Sequence, residues 1–354
     1  MPEKPGRPPL SDLEIGPKVP PAAPRIGPVF PSINATGAFH MLSESVAPKA
    51  DRLEGTCYRL TLPLPPDSGD QHNPTVWLAE DGLRVIVRVL KNGRTTNWSA
   101  RVSDDLQRLE RPVRVRQTPY TEQIEDLRVF SRPDGLWAIA ATHDGHPPAA
   151  IRQAILAMSD DGSAITRLHP LPSRRHEKNW MPCADEDGGV RFVYSTSPLI
   201  VLDMDVSFHE VRVLPRADAI PQVSSHIRGG SQLIAWQGGY LAVVHRVYRR
   251  PAVETGFNPM LSSFWAKPPA GPAVTYQHHF AFFDKYLEKV TVGAPWYFRH
   301  VGVEFCAGLL RRGDKWIASF GADDREAWLI EFDDNAIMRT FASKEATTVA
   351  AESK

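Results

Sequence analysis

Five short turns ending in glycine, each opening a β-rich run, recur along the chain, and no other feature limits its folding as strongly. They are Asp81-Gly82, Asp134-Gly135, Asp187-Gly188, Gln237-Gly238 and Arg312-Gly313, with glycines 53, 53, 50 and 75 residues apart. The runs beside them, LRVIVRVL, GLWAIAAT, VRFVYS, YLAVVH and KWIASF, have the β-branched and aromatic content of strands. The fourth interval is long because it holds an insertion from about Arg249 to Thr275, whose Pro, Gly and Ser content reads as a loop. Without some 25 residues the period returns to about 50. After each hairpin a further strand is expected to end at an acidic turn: VSDDL at 102–106, MSDDG at 158–162, LDMDV at 202–206, FFDKYL at 282–287 and EFDDN at 331–335. Five such units of roughly four strands predict an all-β, five-bladed β-propeller, in which each blade hides its faces against its neighbours. A two-sheet sandwich with evenly spaced turns is the alternative.

Ten of the 32 prolines lie in the first 31 residues, which favours extended chain over packed structure. The expected layout is a flexible Pro-rich arm over 1–31, a propeller domain over 32–340 with the inserted loop at 249–275, and a C-terminal tail over 341–354. Phe257, Phe264 and Trp265 make that insertion aromatic, so it is expected to cover a pocket mouth or to pack on a second subunit in a homo-oligomer. The 41 Lys and Arg balance 41 Asp and Glu, leaving no overall basic field for nucleic acid or an anionic bilayer. The N-terminal residues lack the apolar core of a signal peptide, and no run approaches the roughly 18 apolar residues of a membrane span. The expectations are therefore no nucleic-acid partner, no membrane partner and a cytoplasmic location. Cys57, Cys183 and Cys306 are few and far apart and read as free thiols. The sequence has no GxxxxGK[ST], GxGxxG, HExxH or GxSxG, and His278-His279 would alternate faces on a strand. Neither a metal nor a cofactor is expected.

In a propeller, equivalent positions on the innermost strands converge on one axis. Nine residues before the five hairpin glycines stand Asn73, Asp126, Asn179, Gly229 and Glu304, four of them polar in otherwise apolar strands. Glu125, Arg128, Lys178, Arg228, Ser231 and Gln232 surround them, and His143, His245 and Arg246 follow the glycines by seven or eight residues. Charges gathered at one depth are costly unless they serve each other or a ligand, so this ring is the candidate site.

The same residues carry a family resemblance. Glu125-Asp126-Leu127-Arg128 with Asp134-Gly135-Leu136-Trp137 resembles the Glu-Asp-Pro-Arg signature and hairpin of glycoside hydrolase family 130, the β-mannoside phosphorylases and related hydrolases, and of the similar glycosyltransferase family 108. Glu177-Lys178-Asn179-Trp180-Met181-Pro182, the Arg228-Gly229-Gly230-Ser231 stretch, the strand ending at His245, Tyr276, and Phe320-Gly321-Ala322-Asp323-Asp324 resemble further parts of that pattern, over about residues 70 to 335. Leu127 replaces the family's Pro, and Asn179 stands where Asp is usual.

The resemblance implies glycosyl transfer with inversion, by a phosphorylase or by a transferase using a phospho- or nucleotide-sugar. Asp126 would be the general acid, and Lys178, His245 and Tyr276, with Arg152, would hold phosphate. Glu125, Arg128, Asn179, Arg228 and Asp323 complete the implied binding set, and the partners would be an oligosaccharide or sugar phosphate and inorganic phosphate. As general acid, Asp126 is expected to have a raised pKa. An inverting hydrolase is the alternative, with Glu304 or Asp323 as the base, and a non-catalytic propeller binding sugar or protein is another.

Overall fold

The computed structural model describes residues 47, 49–116, 123–143, 151–171, 178–185, 187–207, 210–214, 227–249, 274–343 and 345–350. The chain divides into a unit over Met1–His40 and a larger one over Met41–Lys354, and every described residue belongs to the second. The expected arm at 1–31, nearly all of the 249–275 insertion, Glu177 and the side chain of His143 lie outside the described residues.

Strands β1 (Asp51–Arg52) and β2 (Thr56–Leu60) come first. Three four-stranded sheets follow in chain order. The first holds β3 (Asp70–Ala79), β4 (Gly82–Lys91), β5 (Arg94–Val102) and β6 (Leu109–Arg114). The second holds β7 (Ile124–Arg132), β8 (Gly135–His143), β9 (Ile151–Met158) and β10 (Ile165–Pro170). The third holds β11 (Met181–Ala184), β12 (Val190–Thr196), β13 (Leu199–Ser207) and β14 (Glu210–Leu214). Next come β15 (Ile227–Gly229), β16 (Ile234–Trp236), β17 (Gly239–Arg249), β18 (Val274–Phe283), β19 (Lys289–Val292) and β20 (Trp296–Tyr297). Then β21 (Glu304–Arg312), β22 (Lys315–Ala322) and β23 (Glu326–Phe332) lead to helix α1 (Asp334–Phe341) and β24 (Thr347–Ala350).

Each four-stranded sheet is an antiparallel meander. The last of them, β21-β22-β23, takes its fourth strand from the other end of the chain, with β2 pairing to β23 through partners such as Thr56 and Glu331. Inner strands β3, β7 and β11 lie side by side, and β21 returns against β3. The core divides accordingly into five apolar clusters, each between two consecutive sheets. Phe130 and Trp137, for example, meet Trp180 and Phe192 across the second and third sheets. At roughly 1.5–3 kcal/mol per fully buried large apolar side chain, such clusters make neighbouring sheets mutually dependent.

The structure is nearly all β in a propeller arrangement, with two corrections to the expected architecture. Four sheets have the four-stranded blade form, not five; β15 to β20 combine with β1 and β24 into one eight-stranded sheet. Thr347–Ala350, expected in a loose tail, forms β24 and pairs antiparallel with β19.

All five hairpin glycines have positive φ, from +65° at Gly313 to +129° at Gly135, a conformation that side chains resist. The acidic turns follow from local chemistry at the first two sites. In both, a serine hydroxyl donates to the carboxylate two residues on (Ser103 to Asp105, 2.5 Å; Ser159 to Asp161, 2.7 Å) and accepts the amide five residues on (Arg108 and Ala164, both 2.9 Å). Asp284 takes the amides of Glu288 and Lys289. The other two acidic segments differ from expectation. LDMDV is internal to β13, and in EFDDN the Asp333 carboxylate caps α1 by accepting the Ala336 amide at 3.1 Å, since a helix start offers unpaired N–H groups that a turn does not.

Candidate active site

Residue pairs His72-Asn73, Glu125-Asp126 and Lys178-Asn179 all line a cavity of about 290 Å³ at one end of the ring of inner strands. Consecutive residues of a strand normally face opposite ways. Here the pairing register breaks between His72 and Thr75 and between Glu125 and Arg128, and Asn73, Asp126 and Asn179 take left-handed φ of 45°, 52° and 69°. Asn and Asp tolerate that conformation better than other side-chain-bearing residues, and such a bulge turns two adjacent side chains toward the same space. At the fourth equivalent position there is no room for any side chain: a Cβ on Gly229 would sit 2.0 Å from the Asn179 carbonyl.

Asp126 is buried on the pocket floor at 4% exposure. Its carboxylate meets Lys178 Nζ at 3.3 Å and Arg88 Nη1 at 3.3 Å, and accepts from Asn73 Nδ2 at 3.0 Å. Arg88 also bridges to Glu125 Oε1 at 2.5 Å. Burial pushes the Asp126 pKa up, but Lys178, Arg88 and Arg128, with the Asn73 hydrogen bond, outweigh it and hold the group at about 2. The expected raised pKa is therefore corrected: these neighbours hold Asp126 as a carboxylate.

Arg228, His245 and Tyr276 form the facing wall. The His245 and Tyr276 rings stack at 4.9 Å with an interplanar angle of 4°. Burial, then the positive surroundings of His278, Arg228, Arg128 and Lys178, lower the His245 pKa well below its usual value, so the imidazole is neutral near pH 7. Burial raises that of Tyr276. His245 Nδ1 has no hydrogen-bond partner, and Arg228 forms no ion pair with a described residue.

Eight expected residues thus meet in one pocket: Asn73, Glu125, Asp126, Lys178, Asn179, Arg228, His245 and Tyr276. Other expected residues do not line it, Gly229, Ser231, Gln232 and Arg246 among them. Arg128 is fully buried behind it, donating to the backbone carbonyls of Gly230 and Asp126 and to Asn179 Oδ1, the last at 3.0 Å, with its guanidinium 5.4 Å from the Phe305 ring centre. It ties its own strand to the Gly230 and Asn179 segments and does not line the pocket. Glu304 is fully buried, and its carboxylate accepts the amides of Phe298, Arg299 and His300 at 2.8, 2.9 and 3.3 Å. Burial raises its pKa against those hydrogen bonds. Asp323 is more than half exposed and pairs with His300 Nε2 at 3.1 Å, leaving Asp324 as the lining residue. The hydrolytic bases proposed from sequence are therefore not in the pocket, and Arg152 is also outside its lining. Two polar lining residues went unread in the sequence, Arg88 on the second strand of its sheet and His72, whose strand alternation is broken by the bulge, as did the apolar Leu90, Val303 and Phe305.

Among the described residues, no cluster of three or more His, Cys, Asp or Glu side chains could hold a metal ion.

This fold, with an anion-lined and cation-lined bowl at one end of the ring, is a β-propeller like that of glycoside hydrolase family 130. Among solved structures, a mannose phosphorylase from Leishmania mexicana in complex with phosphate ion is similar with a TM-score of 0.51 and 12% identity, over 80% of this chain and 89% of that one. A protein from Parabacteroides distasonis proposed as a glycoside hydrolase aligns at TM-score 0.50 and 14% identity, over 74% of this chain and 86% of that one. A structure described within the family 130 mannoside phosphorylases, a group containing glycoside hydrolases that target β-1,2 mannosidic linkages in Candida mannan, aligns at 0.50 and 12%, over 76% and 86%. At these identities the likeness is one of fold, and it gives no support to the glycosyltransferase family 108 half of the resemblance. No family model and no curated protein matches the sequence.

Proposed function

We propose that the chain is a carbohydrate-active enzyme transferring a glycosyl group between a glycoside and inorganic phosphate, with the eight-stranded sheet serving as the fifth blade. The observation that carries this reading is the wall of Lys178, Arg228, His245 and Tyr276 facing a buried carboxylate in one pocket. A phosphate needs cations and neutral donors that hold it in line with the bond to be broken. The named neighbours, a phosphate-complexed mannose phosphorylase and mannoside phosphorylases, make β-mannosides the first substrate class to try.

The resting state of Asp126 determines how the step would run. Lys178 and Arg88 keep it ionised, so it has no proton to give. A phosphate drawn to Lys178 shares that cation's charge and brings negative charge beside Asp126. Both changes raise the carboxyl pKa, so the acid forms when the nucleophile is in place. Protonated Asp126 then gives its proton to the glycosidic oxygen as a phosphate oxygen bonds to the anomeric carbon from the opposite side. The carbon–oxygen bond breaks, leaving a free sugar and a sugar 1-phosphate of inverted configuration. Asp126 returns to its carboxylate and is reprotonated from solvent when the next phosphate binds.

The test is incubation with β-1,2-mannobiose with and without phosphate, followed by NMR. The expected products are mannose and α-mannose 1-phosphate, formed only with phosphate. Mannose released at the same rate without phosphate overturns the reading in favour of hydrolysis.

A further inference from the structure

Outside the pocket, at the same end of the first sheet, β4 and β5 carry a second concentration of charge. Leu90, which lines the pocket, pairs with Thr95, and the next pair out is Lys91 with Arg94. From there a cationic strip runs outward over β5 and β6. Trp98 pairs with Arg114, and the Val115 amide donates to the Asn97 carbonyl at 2.9 Å, which brings Arg116 level with Thr96. Side chains alternate along a strand, so Arg94, Thr96, Trp98, Arg114 and Arg116 share one face of the sheet. The packing follows this alternation: Trp98 rests on the apolar cluster between the first and last sheets, whereas Val115 is buried in the cluster toward the second. The three arginines are exposed, and Thr96 and Trp98 are half-buried. None of these arginines forms an ion pair with a described residue. Two neighbouring carboxylates are already engaged, Asp67 with Lys91 at 3.5 Å and Glu110 with Arg101 at 2.7 Å.

We infer that this strip binds a glycan carrying sulfate, phosphate or carboxylate groups. The choice of a glycan over other polyanions rests on the phosphorylase reading, because the Leu90–Thr95 pair joins the strip to the pocket. A strand rise of about 3.3 Å per residue and a spacing of about 4.8 Å put the three arginine positions within about 15 Å of one another. Like charges so close repel, a cost that a bound anion removes. Guanidinium groups take oxyanions through two parallel N–H bonds, a geometry that an ammonium lacks. Trp98 lies between them, and its Nε1 already donates to Thr96 Oγ1 at 3.3 Å, so the indole offers a flat apolar face rather than a free donor. The C–H face of a pyranose ring fits such a surface. A neutral glycan would use Trp98 and leave the arginines idle, and a free ion would do the reverse. A charged glycan engages both.

The test measures binding to the full chain by calorimetry, so it does not depend on turnover. The probes are mannopentaose in sulfated and unsulfated form, inorganic sulfate, hexaglutamate and a thymidine hexanucleotide. Sulfated mannopentaose is expected to bind at least about 10-fold more tightly than any other probe. In protein labelled with 5-fluorotryptophan it should also move the Trp98 signal, assigned by comparison with Trp98→Phe. The double variant Arg114→Gln, Arg116→Gln, changed only at exposed positions, should bind it about 10- to 100-fold more weakly at 0.1 M salt. That difference should shrink to under about threefold at 1 M salt, where the screening length falls to about 3 Å. Trp98→Leu should lose affinity by a similar factor at both salt concentrations, and phosphorolysis of neutral β-1,2-mannobiose should be unchanged in the double variant. Equal affinity for the two forms of mannopentaose, full affinity in the double variant, or an unmoved Trp98 signal overturns the inference. Tighter binding of the hexanucleotide or of hexaglutamate overturns it in favour of a nucleic acid or an acidic peptide. Absence of phosphorolysis with sulfated-glycan binding intact would remove the phosphorylase reading alone, and the reverse result would remove this site alone.

Discussion

Asp126 and Glu304 stand the same nine residues ahead of a hairpin glycine, on the inner strands of two different sheets, yet their surroundings act on them in opposite directions. Around Asp126 a bulge opens the strand, and two cations, Arg88 from β4 and Lys178 from the segment before β11, reach its carboxylate. Around Glu304 no Lys or Arg among the described residues reaches the carboxylate, and the one ring nitrogen near it is His300 Nδ1 at 3.8 Å. Three successive backbone amides close over the carboxylate, fixing the 298–300 segment that leads to Val303 on the pocket edge. One acid is held charged in the pocket lining, and the other is buried as an internal cap for a loop. Equal register therefore does not imply equal surroundings: what separates them is whether the groups nearby are charged side chains or peptide amides.

Four experiments can break or sharpen this contrast. The largest effect is expected for Asp126→Asn, with phosphorolysis falling about 10³-fold, within the range general acids contribute, and a circular dichroism spectrum like the parent's. Lys178→Met follows, raising the KM for phosphate about 10- to 100-fold through the loss of a charge-assisted contact, read from initial rates across phosphate concentrations. Glu304→Gln removes one acceptor oxygen, so it should lower unfolding free energy by about 1–3 kcal/mol in urea titrations while phosphate KM is unchanged. A shift in phosphate KM at Glu304→Gln matching that of Lys178→Met would collapse the distinction. Asp323→Asn, an exposed partner of His300, should change stability by no more than about 0.5 kcal/mol.

The same pair should respond oppositely to pH. The Asp126 pKa is depressed from 3.8 to about 2, so its ionisation contributes about 2 kcal/mol that is present above pH 4 and lost as pH falls toward 2. The cost of Asp126→Asn should therefore grow from pH 2 to pH 5. The Glu304 pKa is raised, so its contribution is greatest below its ordinary value near 4.5 and declines as pH rises. The cost of Glu304→Gln should shrink over that upper interval, and parallel slopes for the two variants would refute the assignment of opposite environments.

Much of this was legible in the sequence because the repeat is marked by backbone needs. The hairpin glycines must have positive φ, and Asn73, Asp126 and Asn179 occupy a left-handed position that selects Asn and Asp. Counting from one to the other located the pocket floor. The same count also picked out Glu304, because a polar residue at that position can serve a backbone as well as a ligand. Arg88 was hidden in LRVIVRVL, where an arginine among alternating apolar residues reads as solvent-facing. His72 was hidden because a bulge changes the face on which a residue lies without leaving a mark in strand periodicity. The eight-stranded sheet could not be read either, since the pairings of β1 with β20 and β24 with β19 join distant segments.

The strand contributed by residues Thr56–Leu60 to the sheet that ends at Phe332 sets a timetable for biosynthesis. A ribosome moving at roughly 5–20 residues per second releases the partner of that strand tens of seconds after the strand itself, so the emerging chain must keep an unmated β edge from sticking to other chains throughout that wait. Stop codons placed before about residue 327 should therefore yield aggregating products, whereas shortening the chain beyond β24 should not.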